Sequence, residues 1–318
     1  MLLLVTNQRD ITMDYVVAEL QRRKIPYFRL NTEHLPQALC TMSPASKGAW
    51  SIEIDGRLVT GEQVTAAYFR RPGLPSIPTS VGDSGERAYA QAEWSCFLKS
   101  LYTRLDGAWL NAPTDIWLAE DKPRQLLLAH EIGFNVPETA TTNDIASVRK
   151  VADLAATTVG KPLRQALLPG EQERVIFTTR LGDLKDTDAA AISVAPFIVQ
   201  HEIRKKYDVR VTAVGDRLFA TAIWSQEWQE TEVDWRQGSR PDLKHERIEL
   251  PEAVQEQCRE LLSRLNLRFG AIDFICDEAE RLWFLEINPN GQWAWIENVT
   301  GYRISEAIVD ELEKGARG

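Results

Sequence analysis

The 318-residue chain is 44% hydrophobic and 26% charged, an ordinary globular composition but too long for one simple core, so two or three packed lobes are expected. Its 46 acidic residues against 37 basic ones give a net charge of −9, which disfavours nucleic acid as a main partner, because proteins that bind phosphate backbones carry a basic face. Scattered cysteines (Cys40, Cys96, Cys258, Cys276) and histidines disfavour disulfide frameworks and zinc clusters. No window approaches the roughly 18 apolar residues of a membrane helix, so a cytoplasmic protein with no membrane partner is expected.

Leu2–Val5 reads as a buried strand, Met13–Arg23 as an amphipathic helix and Tyr27–Leu30 as a second strand, a spacing that suits a small parallel unit. No GxGxxG follows the first strand, so a dinucleotide site is not indicated there. Ser51–Ile54 and Val64–Phe69 are further strands, Pro72–Gly85 is a loop, and Ala88–Arg104 is a long helix. Lys122–Ile132 is a helix with Pro123 in its first turn and Gly133 at its stop. Short strands and the polar helix Asp144–Leu154 fill the region up to Arg180. Strand-like runs then dominate at Phe197–Val199, Val209–Val214, Phe219–Trp224, Ala271–Cys276 and Leu282–Ile287, with helices at Glu252–Leu265 and Ile304–Lys314. The fold class is α/β in the mixed, α+β sense.

The most informative stretch is Phe269-Gly-Ala-Ile-Asp-Phe-Ile-Cys276, a polar turn Asp277–Arg281, and Leu282-Trp-Phe-Leu-Glu-Ile-Asn-Pro-Asn290. Folding the hairpin near Ala279 sets Asp273 opposite Leu285 or Glu286, and Glu286 and Asn288 share a face because strand side chains alternate. Two carboxylates in otherwise apolar strands repel one another unless a hard cation sits between them or water solvates both. Magnesium prefers a few carboxylate oxygens together with substrate phosphates. There is no GxxxxGK[ST], so a P-loop is excluded. Asp208 and Arg210 lie two apart on one strand and share a face, where Arg210 suits a bidentate phosphate contact or both pair with neighbouring charges. Arg70 and Arg71 are expected on opposite faces of a strand. One of them either meets a substrate carboxylate or forms a structural ion pair.

Leu285-Glu-Ile-Asn-Pro with the upstream Gly270-Ala-Ile-Asp273 resembles the metal-binding end of the ATP-grasp superfamily. Gly291-Gln-Trp-Ala-Trp-Ile-Glu297, Thr300-Gly301 and Ile304 narrow the resemblance to the ligases that macrocyclise microviridin-type peptides, the graspetides. Tyr68-Phe-Arg-Arg-Pro72, Trp109-Leu-Asn-Ala-Pro113, Lys122, Gln125-Leu126, Lys205, Asp208-Val-Arg210 and Ser225 extend it over nearly the whole chain. Asp121, where the family more often has Asn, and His201, where it usually has Glu, depart from it.

The resemblance implies an ATP-grasp fold of three lobes: an N-terminal domain at 1–112, a central subdomain at 113–196 and a C-terminal subdomain at 197–318, with ATP held between the last two. It implies that Asp273, Glu286 and Asn288 hold two magnesium ions against the nucleotide, and that Lys161 and Lys122 contact phosphates. Gln200 and the backbone of Glu202 and Ile203 would carry adenine, Asp208 the ribose and Arg210 the transferring phosphate. Leu167–Ile176 falls where the family has a mobile phosphate-covering loop. The activity implied is ATP-dependent activation of an Asp or Glu side chain of a ribosomal precursor peptide, leader plus core, for attack by a Thr or Ser hydroxyl or a Lys amine. Trp224, Trp228, Asp234, Trp235 and Arg236 fall in the leader-docking stretch, although an ordinary core is the alternative for each Trp. A homodimer stays open. Two other readings remain: an ATP-grasp ligase for small carboxylates or free amino acids, and a non-catalytic nucleotide-binding protein.

Overall fold

Leu2–Thr6 is buried along its whole length, as the central strand of a parallel sheet must be. In the computed structural model it pairs in parallel with Tyr27–Asn31 on one side and Ala66–Phe69 on the other. The structure describes residues 1–154, 156–164, 167–168, 174–226, 233, 235 and 243–315. Among the described residues no helix is long and apolar enough to cross a membrane. The chain forms two compact units: Met1–Ile116 with Asn266–Phe269 and Asn290–Gly318, and Trp117–Leu265 with Gly270–Pro289.

The first unit joins this sheet to a second, antiparallel one of order Leu39–Met42, Trp50–Ile54, Arg57–Thr60. One apolar core, including Leu3, Val5, Leu30, Trp50, Ile52, Leu101 and Trp109, runs beneath both sheets. Helix Ile11–Arg23 packs against Ile304–Gly315 through Arg23, whose Nη1 reaches Asp310 at 2.6 Å and Glu313 at 3.0 Å. The long helix starts at Ser84, four residues before the expected Ala88, because Asp83 caps it and accepts the Glu86 amide at 2.9 Å.

The expected strand through Arg70 and Arg71 is corrected by the structure. It ends at Phe69, and Arg71 turns into the left-handed region at φ 46°, so the two arginines do not alternate across a pleat. Arg70 is fully buried, with Nε 3.0 Å from Asp10 and Nη1 donating to the carbonyls of Asn290 and Gly291. Arg71 Nε donates to the Asn290 carbonyl at 3.2 Å.

The second unit carries two sheets. Thr179–Arg180, Thr158–Lys161, Phe197–His201 and Thr139–Thr142 form one, antiparallel throughout. The other has the order Lys244–Arg247, Arg217–Trp224, Lys205–Val214, Phe269–Asp277, Leu282–Asn288. Helix Lys122–Ile132 has the expected bounds, with the Asp121 side chain accepting from the Arg124 amide at its start and Gly133 at φ 95° ending it. Capping suits Asp as well as Asn, which accounts for Asp121.

Two buried amides grip the strands of the acidic hairpin. Asn111 Oδ1 accepts the amides of Arg268 and Phe269, and its Nδ2 donates to the Phe269 carbonyl. Gln125, on the Lys122–Ile132 helix, accepts the Ile287 amide at 3.0 Å and donates to the Ile287 carbonyl at 2.9 Å. Backbone groups that would otherwise lack partners are thereby satisfied.

Candidate active site

The hairpin is closed by Asp277. Its Oδ1 accepts the amides of Ala279 and Arg281, and its Oδ2 accepts Arg281 Nε at 2.8 Å and Trp283 Nε1 at 3.0 Å. Burial acts to raise this carboxyl, but the bonds from Trp283, Arg281 and Ala279 outweigh it and hold it below the usual carboxylate range. A lowered carboxyl contributes stability above its unfolded value near 4, and that contribution disappears as pH falls through the folded value. Asp277→Ala is therefore expected to destabilise the protein by about 2–3 kcal/mol at neutral pH. In urea titrations across pH, the difference between wild type and variant should shrink on acidification. A difference that does not change with pH would contradict this account.

From the turn, the ladder runs Cys276 with Leu282, Ile275 with Trp283 and Phe274 with Phe284. Continued without interruption, it would set Asp273 against Leu285. Instead a β-bulge follows, and Asp273 pairs with Glu286. Bulges of this kind re-aim side chains beside functional sites. Glu286 and Asn288 share a face by alternation, so three oxygen-bearing side chains gather on one side of two strands.

That face lines a cavity of about 590 Å³ within the second unit. Asp273, Glu286, Asn288, Lys122, Lys161, Gln200, Glu202, Ile203, Asp208 and Trp235 all line it. Arg210 is not a lining residue but stands behind one. Its Nε lies 2.7 Å from Asp273 Oδ1, at ion-pair distance though off the line of a hydrogen bond, and its guanidinium lies 5.5 Å from the Trp235 ring centre. Lys122 Nζ is 3.0 Å from Glu286 Oε2. Lys161 Nζ donates to Gln200 Oε1 at 2.6 Å, and Gln200, directly opposite Thr139 across the ladder, donates to the Thr139 hydroxyl at 2.8 Å. Glu202 holds Arg180 in a two-pronged ion pair, and its amide is committed to the Thr157 carbonyl.

Several residues here went unassigned in the sequence. Lys205 is buried, and its ammonium contacts both oxygens of Asp208 at 3.0 and 2.8 Å, while Ser225 Oγ donates to the same carboxylate. The spacing of Lys205 and Asp208 was the available signal. Glu120 and Gln125 also line the cavity. Trp224 lies outside it, its ring tilted at 50° against Tyr207 and its indole N–H donating to Glu246 at 2.8 Å. Arg70 and Arg71 belong to the first unit. Trp228, Asp234 and Arg236 lie outside the described residues, as does the middle of Leu167–Ile176, whose ends Leu167–Leu168 and Arg174–Val175 pair antiparallel.

Among the described residues no three His, Cys, Asp or Glu side chains gather as a metal cluster. The donor set is two carboxylates and one amide. Hard oxygen donors, few in number and beside Lys122 and Lys161, fit a magnesium ion that completes its shell with phosphate oxygens and water.

No protein-family model matches the sequence. The structure is similar to a RiPP-associated ATP-grasp ligase from Chryseobacterium gregarium, solved with ADP and a leader and core peptide, at TM-score 0.88 and 25% identity, covering 98% of this chain and 96% of that one. It is also similar to the macrocyclase MdnC of Microcystis aeruginosa MRC, solved with its precursor peptide MdnA, at TM-score 0.84 and 26% identity, covering 99% of each chain. A probable alpha-L-glutamate ligase from Shewanella sp. (strain ANA-3) is 27% identical over 214 residues, 64% of this chain and 66% of that relative's length. Fold and cleft together define an ATP-grasp protein. Within that superfamily the chain is similar to RiPP-associated ligases and to the macrocyclases MdnC and MdnB of Microcystis aeruginosa MRC.

Proposed function

We propose that this chain is an ATP-dependent ligase that activates Asp or Glu side chains of a ribosomal precursor peptide as acyl phosphates. A Thr or Ser hydroxyl, or a Lys amine, of the same peptide then closes the ring. The observation that carries this reading is the convergence of Asp273, Glu286 and Asn288 with Lys122, Lys161 and Asp208 on one cavity. The ADP bound to the Chryseobacterium gregarium ligase and the peptides bound to both similar enzymes support it.

In the first step a carboxylate oxygen attacks the γ-phosphorus of ATP, the bond to the β-phosphate oxygen breaks, and ADP leaves. In the second the acceptor oxygen or nitrogen attacks the acyl carbon, and phosphate departs with the bonding pair. Little covalent work falls to the protein, whose task is alignment and charge compensation. Asp208, held by Lys205 and Ser225, is assigned to the ribose hydroxyls. Backbone groups of Glu202 and Ile203 other than the committed Glu202 amide are assigned to adenine, with Gln200 positioning Lys161. Lys161 and Lys122 take phosphate oxygens, and Arg210, fixed by Asp273, takes the transferring phosphoryl group. Asp273, Glu286 and Asn288 would hold magnesium, one ion or two, which when bound neutralises charge on the phosphates.

The burial of Arg70 argues for Arg71 as the arginine nearer a substrate carboxylate. Trp224, Trp228, Asp234, Trp235 and Arg236 are assigned to the leader. A cytoplasmic location and the three-lobe division at 112 and 196 complete the proposal.

A second reading, an ATP-grasp ligase joining a free amino acid or small carboxylate to an amine, is favoured by the likeness to the glutamate ligases. The test looks for a short open reading frame beside this gene, rich in Thr, Asp and Glu near its end, and incubates its peptide with the protein, ATP and Mg²⁺. Each ring formed lowers the peptide mass by about 18 Da, since the net reaction is dehydration. ATP consumption with unchanged peptide mass, together with ligation of free glutamate, would favour the second reading.

A further inference from the structure

The two acids of the metal face each have a cation of the protein against them. Glu286 is 3.0 Å from Lys122, and Asp273 is 2.7 Å from Arg210. These four side chains carry no net charge, so a free divalent ion approaching them meets a neutral cradle with an ammonium group at contact distance. Both members of the Lys122–Glu286 pair are about a fifth exposed, so the pair is within reach of solvent and of ligand. The lysine stands first in the Lys122–Ile132 helix, at the positive end of the helix dipole, where a cation is disfavoured and an anion is welcome. Glu286 supplies the compensating charge. A lysine ammonium on a flexible stem can exchange that carboxylate for a phosphate by rotation alone.

We propose that Lys122 is a displaceable counter-ion that closes the metal face until nucleotide arrives. In the nucleotide-free protein its ammonium holds Glu286 and repels a second cation. The polyphosphate of a nucleoside di- or triphosphate draws the ammonium away, and Glu286 becomes available to the divalent ion that enters with it. Lys122 thus sets the order of binding as well as contacting phosphate. The idea rests on the metal and nucleotide assignments made above.

The test measures Mn²⁺ binding to the full chain by electron paramagnetic resonance, without nucleotide and with saturating ADP, after allowing for the complex of Mn²⁺ with ADP in solution. Wild type is expected to bind Mn²⁺ about tenfold more tightly with ADP, a difference of the size one displaced ion pair and added phosphate ligands produce. Lys122→Met is expected to tighten nucleotide-free Mn²⁺ binding by roughly two- to fivefold, the range of a partly exposed ion pair, while weakening ADP binding. Lys122→Arg, which keeps the charge, should retain weak nucleotide-free Mn²⁺ binding. A lysine with a merely structural role would shift both affinities in the same direction. Equal Mn²⁺ affinity with and without ADP, or no gain in Lys122→Met, overturns the counter-ion role while leaving the metal site standing. No Mn²⁺ binding even with ADP overturns the metal assignment itself.

Discussion

Replacing Arg210 with methionine is expected to destabilise the nucleotide-free protein by about 3–5 kcal/mol, because it leaves a buried carboxylate without its counter-charge. The Arg210 and Asp273 side chains are 7% and 11% exposed, so neither charge recovers much hydration when the other is removed. The same substitution should lower ADP release in the peptide-dependent reaction on the order of 10²–10³-fold, the usual effect of removing one preorganised charge at a phosphoryl centre. The two effects separate in a double variant. Arg210→Met with Asp273→Leu exchanges the pair for apolar volume and should regain most of the lost stability, since buried ion pairs contribute little over well-packed apolar side chains. It should stay inactive. Urea midpoints read the first quantity and ADP release the second. A double variant no more stable than Arg210→Met would show that the stability loss has another source.

How far the sequence anticipates the structure depends on whether the signal is local. The Lys122–Ile132 helix has the bounds its capping residues imply, since Asp121 and Gly133 each terminate it by chemistry within a few residues. Continuous apolar runs place the long strands of the acidic hairpin for the same reason, and Phe269–Asp277 is buried along its whole length. Short edge elements escape notice. Leu39–Met42 alternates exposed and half-buried positions and is held in register by Trp50–Ile54, so its strand character comes from its partner.

The site is divided in the same way. The shared face of Glu286 and Asn288 follows from periodicity, but the choice between Leu285 and Glu286 opposite Asp273 depends on a bulge that leaves no mark in composition. In the sequence Arg70 is open between a substrate-carboxylate contact and a structural ion pair, and the structure shows the ion pair, with Asp10, fully buried. Its interior position needs Asp10, sixty residues earlier, and carbonyls more than two hundred residues later. Lys205 escaped assignment because a buried lysine is credible only once its partner Asp208, itself held by Ser225, is in place.

Glu286→Gln should separate stability from activity in the opposite sense to Arg210→Met. The Glu286 and Lys122 side chains are 20% and 23% exposed, and an ion pair so open to water contributes at most about 1 kcal/mol. Glutamine keeps the volume and one carbonyl oxygen, and Gln125 still holds the neighbouring Ile287 backbone, so the urea midpoint should stay close to wild type. Turnover should not survive. As a ligand, Glu286 contributes a full negative charge to the cation that compensates the phosphates, and weakening that compensation costs several kcal/mol in the transition state. Each 1.4 kcal/mol is about tenfold in rate, so a fall of roughly 10²-fold or more in ADP release is expected. Two carboxylates directly opposite one another on a hairpin therefore differ in what they do for the protein. Asp273 is shielded and paired with Arg210, whereas Glu286 lines the cavity a fifth exposed, where its charge is assigned to the ligand. A Glu286→Gln protein with wild-type turnover would remove Glu286 from the metal set.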